Sequence, residues 1–234
     1  MRPRRWCATL AAVLVGASAA AAPLVAVDVG HTLAAPGATS ARGRSEFEFN
    51  LDLALQVISA LQARGLDAVL INGDGKTATL AERPAAAAAA GADFLLSIHH
   101  DSVSEWELRH WEWNGSPQTW SDAWQGHSMF VSTRNPALEH SLLCASAIGA
   151  RLQRLGFIPT TKNARRRAYA DATHAVHYYD NLVVLYRAQQ AAMLFEAGVI
   201  KHRDEELLLR DPQRQARMAD GIATGIAACL YAGR

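Results

Sequence analysis

Apolar residues fall along this chain in two alternating rhythms, short unbroken runs and longer stretches spaced by threes and fours. Leu24–Val29, Ala68–Ile71, Phe94–Ile98 and Ser128–Ser132 are runs of strand length, and Asn181–Leu185 and Ala192–Phe195 read as two further short strands. Between them Phe47, Leu51, Ala54, Ile58 and Leu61 recur at four-three-four-three spacing. That spacing predicts a helix from Glu46 to Arg64 stopped by Gly65. Thr79 and Glu82 form a capping-box pattern before an alanine-rich helix reaching Ala90, with Pro84 confined to its first turn. Asn135-Pro136 opens a helix to about Leu155, ended by Gly156, and Asp211-Pro212 opens a last one to about Tyr231. Strands alternating with helices predict an α/β fold. The expectation is a single domain with a central, mostly parallel or mixed sheet flanked by helices on both faces. Phe94–Ile98 is apolar without alternation, which predicts a central strand covered on both sides.

Two stretches break the pattern. Arg2, Arg4 and Arg5, an apolar run from Trp6 to Gly16, and Ala17-Ser18-Ala19 make a signal peptide over residues 1–22. Its apolar run is too short to span a bilayer permanently. The expected domain is therefore 23–234 of an exported protein, read as periplasmic, with release from the cell as the alternative. Residues 101–127 carry five of the six tryptophans: Trp106, Trp111, Trp113, Trp120 and Trp124. They are mixed with polar residues rather than aliphatics, so this insert reads as a functional loop or lid, or as sugar-stacking platforms. The plain alternative is a satellite hydrophobic cluster.

Charge and cysteine content narrow the class. Loss of the three leader arginines turns 23 basic and 22 acidic residues into 20 and 22. The mature chain is then nearly neutral, with no tract suited to nucleic acid, no stable membrane insertion, and a monomer as the expected state. Cys144 and Cys229 sit in Ala/Leu-rich helical patterns and read as buried free thiols, although an oxidising compartment allows them to pair.

The candidate chemistry lies where the apolar runs end. His31 follows Val25–Val29, His99 follows Phe94–Ile98, and Glu196 follows Met193–Phe195. Ligands of open α/β sheets gather at such strand ends. Glu46 heads the first predicted helix, where the dipole favours a carboxylate even without a metal. Two histidines and a carboxylate with an open fourth position make a catalytic zinc set, and a further carboxylate can manage a water's proton. Taken singly, each residue has an ordinary reading as a loop hydrogen-bonder or helix-end carboxylate, and no HExxH motif is present. His100 competes with His99, but neighbours along a strand face opposite sides, so the two do not share one metal.

Several segments occur in one order: VAVDVGH ending at His31, Glu46 with Asn50-Leu51 and Leu53-Ala54, Leu80-Ala81-Glu82-Arg83, Gly91 to His99, and Leu194-Phe195-Glu196-Ala197-Gly198. Together they resemble the family 3 zinc-dependent N-acetylmuramoyl-L-alanine amidases, the bacterial cell-wall amidases, over about residues 24 to 230. The resemblance implies one catalytic Zn2+ held by His31, Glu46 and His99, with Glu196 as the catalytic carboxylate. It also implies a peptidoglycan or muropeptide substrate cut between N-acetylmuramic acid and L-alanine. Thr32-Leu33, His100-Asp101, His202 and Ala85–Ala90 depart from the family pattern without touching those four residues. The alternatives are a zinc carboxypeptidase or other amidohydrolase on wall peptides, and a catalytically silent peptidoglycan-binding regulator. Arg165-Arg166-Arg167 reads either as contacts to stem-peptide carboxylates or wall phosphates, or as a solvated charge run. Arg83 reads as a helix-fixing ion pair, and His174 and His177 as loop residues near the cleft.

Overall fold

The computed structural model describes residues 21–232, and the export segment expected over residues 1–22 lies outside them except at its last two positions. In chain order the elements are β1 (Leu24–Val29), α1 (Glu46–Gln62), β2 (Asp67–Ile71), α2 (Glu82–Ala89), β3 (Phe94–Asp101), β4 (Arg109–Trp113), β5 (Ser116–Trp120) and β6 (Ser128–Val131). There follow α3 (Leu138–Arg154), β7 (Tyr169–Asp171), β8 (Val176–Tyr178), α4 (Val183–Tyr186), β9 (Ala191–Val199), α5 (Arg203–Arg210) and α6 (Pro212–Ala232). Seven strands form one sheet in the order β2-β1-β3-β9-β6-β8-β7. β2, β1, β3 and β9 run parallel, whereas β6 pairs antiparallel to β9, so the sheet is mixed.

Alternation along β3 shows how the layers are assigned. Phe94, Leu96 and Ile98 pack into the larger core with Phe49, Leu53 and Val57 of α1, Ile148 of α3 and Ile222 of α6. Leu95 turns the other way, toward Ala87 of α2 and Val184 and Leu185 of α4. Each such fully buried Leu or Phe contributes about 1.5–3 kcal/mol relative to exposure. Both faces are covered, as expected of a central strand. No helix among the described residues is long and apolar enough to cross a membrane.

Several local expectations are corrected. Cys144 and Cys229 are not free thiols but a disulfide, with Cα atoms 5.1 Å apart. Helices α3 and α6 approach so closely that a Cβ on Gly225 would lie 2.5 Å from the Ile148 Cα. Cys144 and Cys229 stand one turn from these two residues, on opposite helices, which brings the sulfurs together. The stretch 181–185 is not a strand: Val183–Tyr186 forms the short helix α4, whose following carbonyls at Leu185, Ala188 and Gln190 accept from the Asn135 amide. Asn135 therefore ties this loop down, and α3 starts at Leu138 instead. Thr79 does not complete a capping box with Glu82; α2 has Ala81 at its cap and no side-chain cap bond. At α1 the box is formed by Ser45 and Glu48, whose carboxylate accepts from the Ser45 N–H at 3.1 Å.

The tryptophan-rich insert is ordered as a hairpin of β4 and β5. Asn114 and Gly115 turn it with φ of 50° and 73°, the left-handed pair that a two-residue hairpin turn requires. An Asn-Gly pair between alternating aromatics is a sequence signal for this turn that the aromatic composition obscured.

Candidate active site

The site is built toward the carboxyl-terminal edge of the sheet, near the ends of β1, β3 and β9 and beside the start of α1. His31 lies two residues beyond β1 with φ 69°, a left-handed conformation uncommon outside glycine, asparagine, aspartate and histidine. Buried donors pin it there. The His31 carbonyl accepts from Asn72 Nδ2 at 2.7 Å and Arg83 Nη2 at 2.5 Å, and Val29 O accepts from the same two side chains. Arg83 is itself buried against Asp28 at 3.1 Å. The ion pair expected of Arg83 therefore also fixes the backbone that aims His31.

The three sequence-derived ligand candidates converge. Glu46 Oε1 is 3.0 Å from both His31 Nε2 and His99 Nδ1, and the other oxygen accepts the Ala38 N–H at 3.1 Å. The donor atoms of His31, Glu46 and His99 all lie within 4.8 Å of one another. Ligands of a tetrahedral zinc with bonds near 2.0–2.1 Å stand about 3.3 Å apart, so two imidazoles around one carboxylate oxygen fit such an ion closely. Glycines make the cradle. A Cβ on Gly37 would lie 2.6 Å from Glu46 Oε2, and one on Gly30 would lie 2.5 Å from the His99 Cε1. Burial opposes ionisation of Glu46, but hydrogen bonds and charge from His31 and His99 outweigh it and hold the carboxyl below its usual range.

Glu196 sits opposite His99 in the β3–β9 register, on the same sheet face as Leu194 and His99. Its Oε2 is enclosed and has no hydrogen-bond partner among the described residues. Burial, then the nearby carboxylates of Asp101 and Glu46, push its pKa well above the ordinary carboxyl value. The register slips just beyond this pair, between His99 and Asp101. There Gly198 lies against the Glu205 carboxylate, which accepts the Val199 and Gly126 N–H groups. Both strands run past the site, β3 to Asp101 and β9 to Val199, so His99 and Glu196 lie inside strands rather than at their ends.

His100 faces away, its Nδ1 2.8 Å from Asn50 Oδ1, and burial lowers its pKa to about 3. Asn50 also donates to Gly30 O at 3.1 Å, which links α1 to the turn before His31. The four-residue step from Glu46 to Asn50, one helical turn, was the signal for it. His174 and His177 do not reach this site. His174 lies 3.1 Å from Asp171, and His177 is buried in β8 stacked on Tyr169. Asp101, with Lys162 at 2.6 Å and Asn163 at 3.1 Å, belongs to the surroundings of Glu196 and carried no local sequence signal. His202 caps α5 by accepting the Asp204 and Glu205 N–H groups.

Two recesses flank the His99–Glu196 pair. One, about 370 Å³, is bordered by His31, His99, Leu80, Leu182, Val184 and Leu194. The other, about 320 Å³, is bordered by Glu196, Asp101, Phe130, Tyr179 and the basic segment 162–167.

A mixed α/β sheet with two imidazoles and a carboxylate converging at one end, and a further carboxylate with an enclosed oxygen beside them, has the donor set of a metal-dependent hydrolase. The chain belongs to the N-acetylmuramoyl-L-alanine amidase family Amidase_3, whose profile matches residues 25–228. Hydrolysis of the N-acetylmuramoyl-L-alanine amide of peptidoglycan is the activity of that family, and the fold agrees. The catalytic domain of the amidase CwlV from Bacillus (Paenibacillus) polymyxa var. colistinus is 26% identical, with TM-score 0.68, over 89% of this chain and 98% of that one. An N-acetylmuramoyl-L-alanine amidase from Clostridium difficile 630 shares the fold at 20% identity and TM-score 0.73, covering 92% of this chain and 100% of that one. Ami1 from Mycobacterium smegmatis does so at 22% identity and TM-score 0.73, with the same coverage. No curated protein matches the sequence.

Proposed function

We propose that this chain hydrolyses the amide between N-acetylmuramic acid and L-alanine with a single Zn2+ held by His31, Glu46 and His99, and with Glu196 as general acid–base. Bound there, zinc would supply Lewis acidity for the amide carbonyl and lower the pKa of water toward neutrality. Glu196 accepts the proton of the attacking water and returns it to the departing alanine amine. A pKa raised above the ordinary carboxyl value suits both halves of that cycle, because it makes the carboxylate a stronger base for the water's proton while the acid it becomes can still donate to the amine. The observation that carries this reading is Glu196 itself, a half-buried glutamate whose enclosed Oε2 has no partner among the described residues, register-paired with His99. A purely structural glutamate would have that oxygen satisfied.

The domain arrangement that goes with this reading is a leader over residues 1–22 and one catalytic domain over 23–234, with the hairpin insert at 101–127. A leader implies export, and a buried disulfide suits an oxidising compartment such as the periplasm. The proposed working form is a monomer acting on peptidoglycan or muropeptides.

Mass spectrometry of products from purified peptidoglycan, with and without chelator, tests the reaction. Glycan freed of peptide supports it, whereas release of a C-terminal amino acid replaces it with a carboxypeptidase. Glu196→Ala is expected to abolish cleavage with metal content unchanged, and a near-normal rate refutes the role of Glu196. His31→Ala is expected to lose the zinc.

A further inference from the structure

Lys162, Arg165, Arg166 and Arg167 border the recess that Glu196 also borders. Two of these cations are neutralised within the protein, Lys162 by Asp101 at 2.6 Å and Arg165 by Glu107 at 3.2 Å. Arg166 and Arg167 make no ion pair among the described residues, yet both are held in place. Arg166 donates to the Ser104 hydroxyl at 3.0 Å. The Arg167 guanidinium lies 3.7 Å from the centre of the Tyr179 ring and 5.3 Å from that of Phe130. A guanidinium stacked by its face keeps its in-plane N–H fork free, the geometry that receives a carboxylate. The recess on the other side of the His99–Glu196 pair has no such group, since the arginine bordering it, Arg83, is buried against Asp28.

We propose that Arg166 and Arg167 form a carboxylate-binding subsite beside Glu196 that takes the acidic peptide portion of the substrate. That the peptide is the leaving side rests on the amidase reading; recognition of a carboxylate does not. The charge asymmetry sets the direction of binding. Peptide carboxylates go to the basic recess, and the uncharged sugar with its lactyl group goes to the apolar one. The arginines are specificity-determining residues and take no part in the proton transfers.

The test is calorimetric binding of a dipeptide of L-alanine and glutamic acid, with both carboxylates free or both amidated, to the purified chain. The free acid is expected to bind at least tenfold tighter than the diamide, and the Arg166→Gln/Arg167→Gln variant to lose that preference. Arg166→Gln alone, an exposed change, is expected to lose part of it and serves if the double variant melts early. Equal affinity for acid and amide, or a preference that survives the double variant, overturns the subsite. Peptidoglycan cleavage on the same preparations separates the two readings. Uncleaved wall with acid-selective binding refutes the amidase proposal alone, and cleaved wall without selectivity refutes the subsite alone.

Discussion

The edge that carries His31, Glu46, His99 and Glu196 and the hairpin of β4 and β5 are both rich in polar and aromatic groups, but they are held by opposite means. At the edge, position is set by buried donors on backbone carbonyls and by glycines that leave no slack. Arg83 is 2% exposed, and the Cβ space at Gly30 and Gly37 is already filled by His99, His31 and Glu46. On the hairpin, the aromatic residues lie under arginines, of which Arg203 is partly exposed and Arg42 is enclosed and paired with the buried Glu206 at 2.8 Å. Arg203 lies 3.5 Å from the Trp120 ring centre and Arg42 4.6 Å from that of Trp113, while Trp111 and Trp113 stack at 5.2 Å. Trp106 stands 72% exposed. Buried charge is costly when a partner is lost, whereas an exposed cation–π contact contributes only about 0.5–1 kcal/mol. The difference is that buried donors on backbone carbonyls position the site, whereas partly exposed ring contacts carry much of the insert's attachment.

The strongest way to break that contrast is to remove a buried donor. Arg83→Met strands Asp28, whose pKa burial already raises, and is expected to destabilise the fold by about 3–5 kcal/mol in urea titration. Adding Asp28→Asn should recover part of the loss. Gly30→Ala displaces the His99 ring, a flexible neighbour, so the fold should survive while zinc affinity falls roughly 10- to 100-fold, read by metal-competition titration. His127 probes where the insert rejoins the sheet. Burial lowers its pKa to about 4, below the ordinary value of about 6.5. A depressed histidine is neutral in the folded state, so the unfolded chain takes up the extra proton as pH falls through that window. Stability is therefore present above about pH 6.5 and lost toward pH 4, with about 2 kcal/mol gone by pH 5. His127→Phe should flatten that limb of the melting curve. The smallest effect is expected at Trp106→Ala, a 72% exposed ring 5.9 Å from the Arg165 guanidinium, at most about 1 kcal/mol by melting. A loss there as large as that from Arg83→Met would refute the comparison.

Legibility followed the range of the interactions. The α/β alternation, the helices α1 and α6, and β1, β3 and β6 were readable because each is written in a local period of apolar residues. Missed were β7 and β8, three residues each, and α5, too short for a period to declare itself. Asn181–Leu185 read as a strand because Leu182, Val183 and Val184 are apolar in a row, yet packing against α2 and the Asn135 anchor make Val183–Tyr186 a helix. His31, Glu46, His99 and Glu196 were named by chain position and by resemblance, and the structure brings His31 and His99 around one oxygen of Glu46. Asn72, Asp101, Lys162 and the glycine cradle were invisible, because each acts on a residue far away in the chain.

What the sequence by itself determined is the α/β alternation with its longer elements, the family and the identity of the side chains that carry chemistry, since these depend on local spacing and ordered motifs. Only the tertiary structure decided the disulfide between Cys144 and Cys229, 85 residues apart. It alone decided the left-handed turn at His31, the unpartnered oxygen of Glu196 and the freedom of Arg166 and Arg167. The physical reason is the same in each case. Pairing, burial and strain are properties of groups brought together by packing, and the chain order records which groups exist but not which of them find partners.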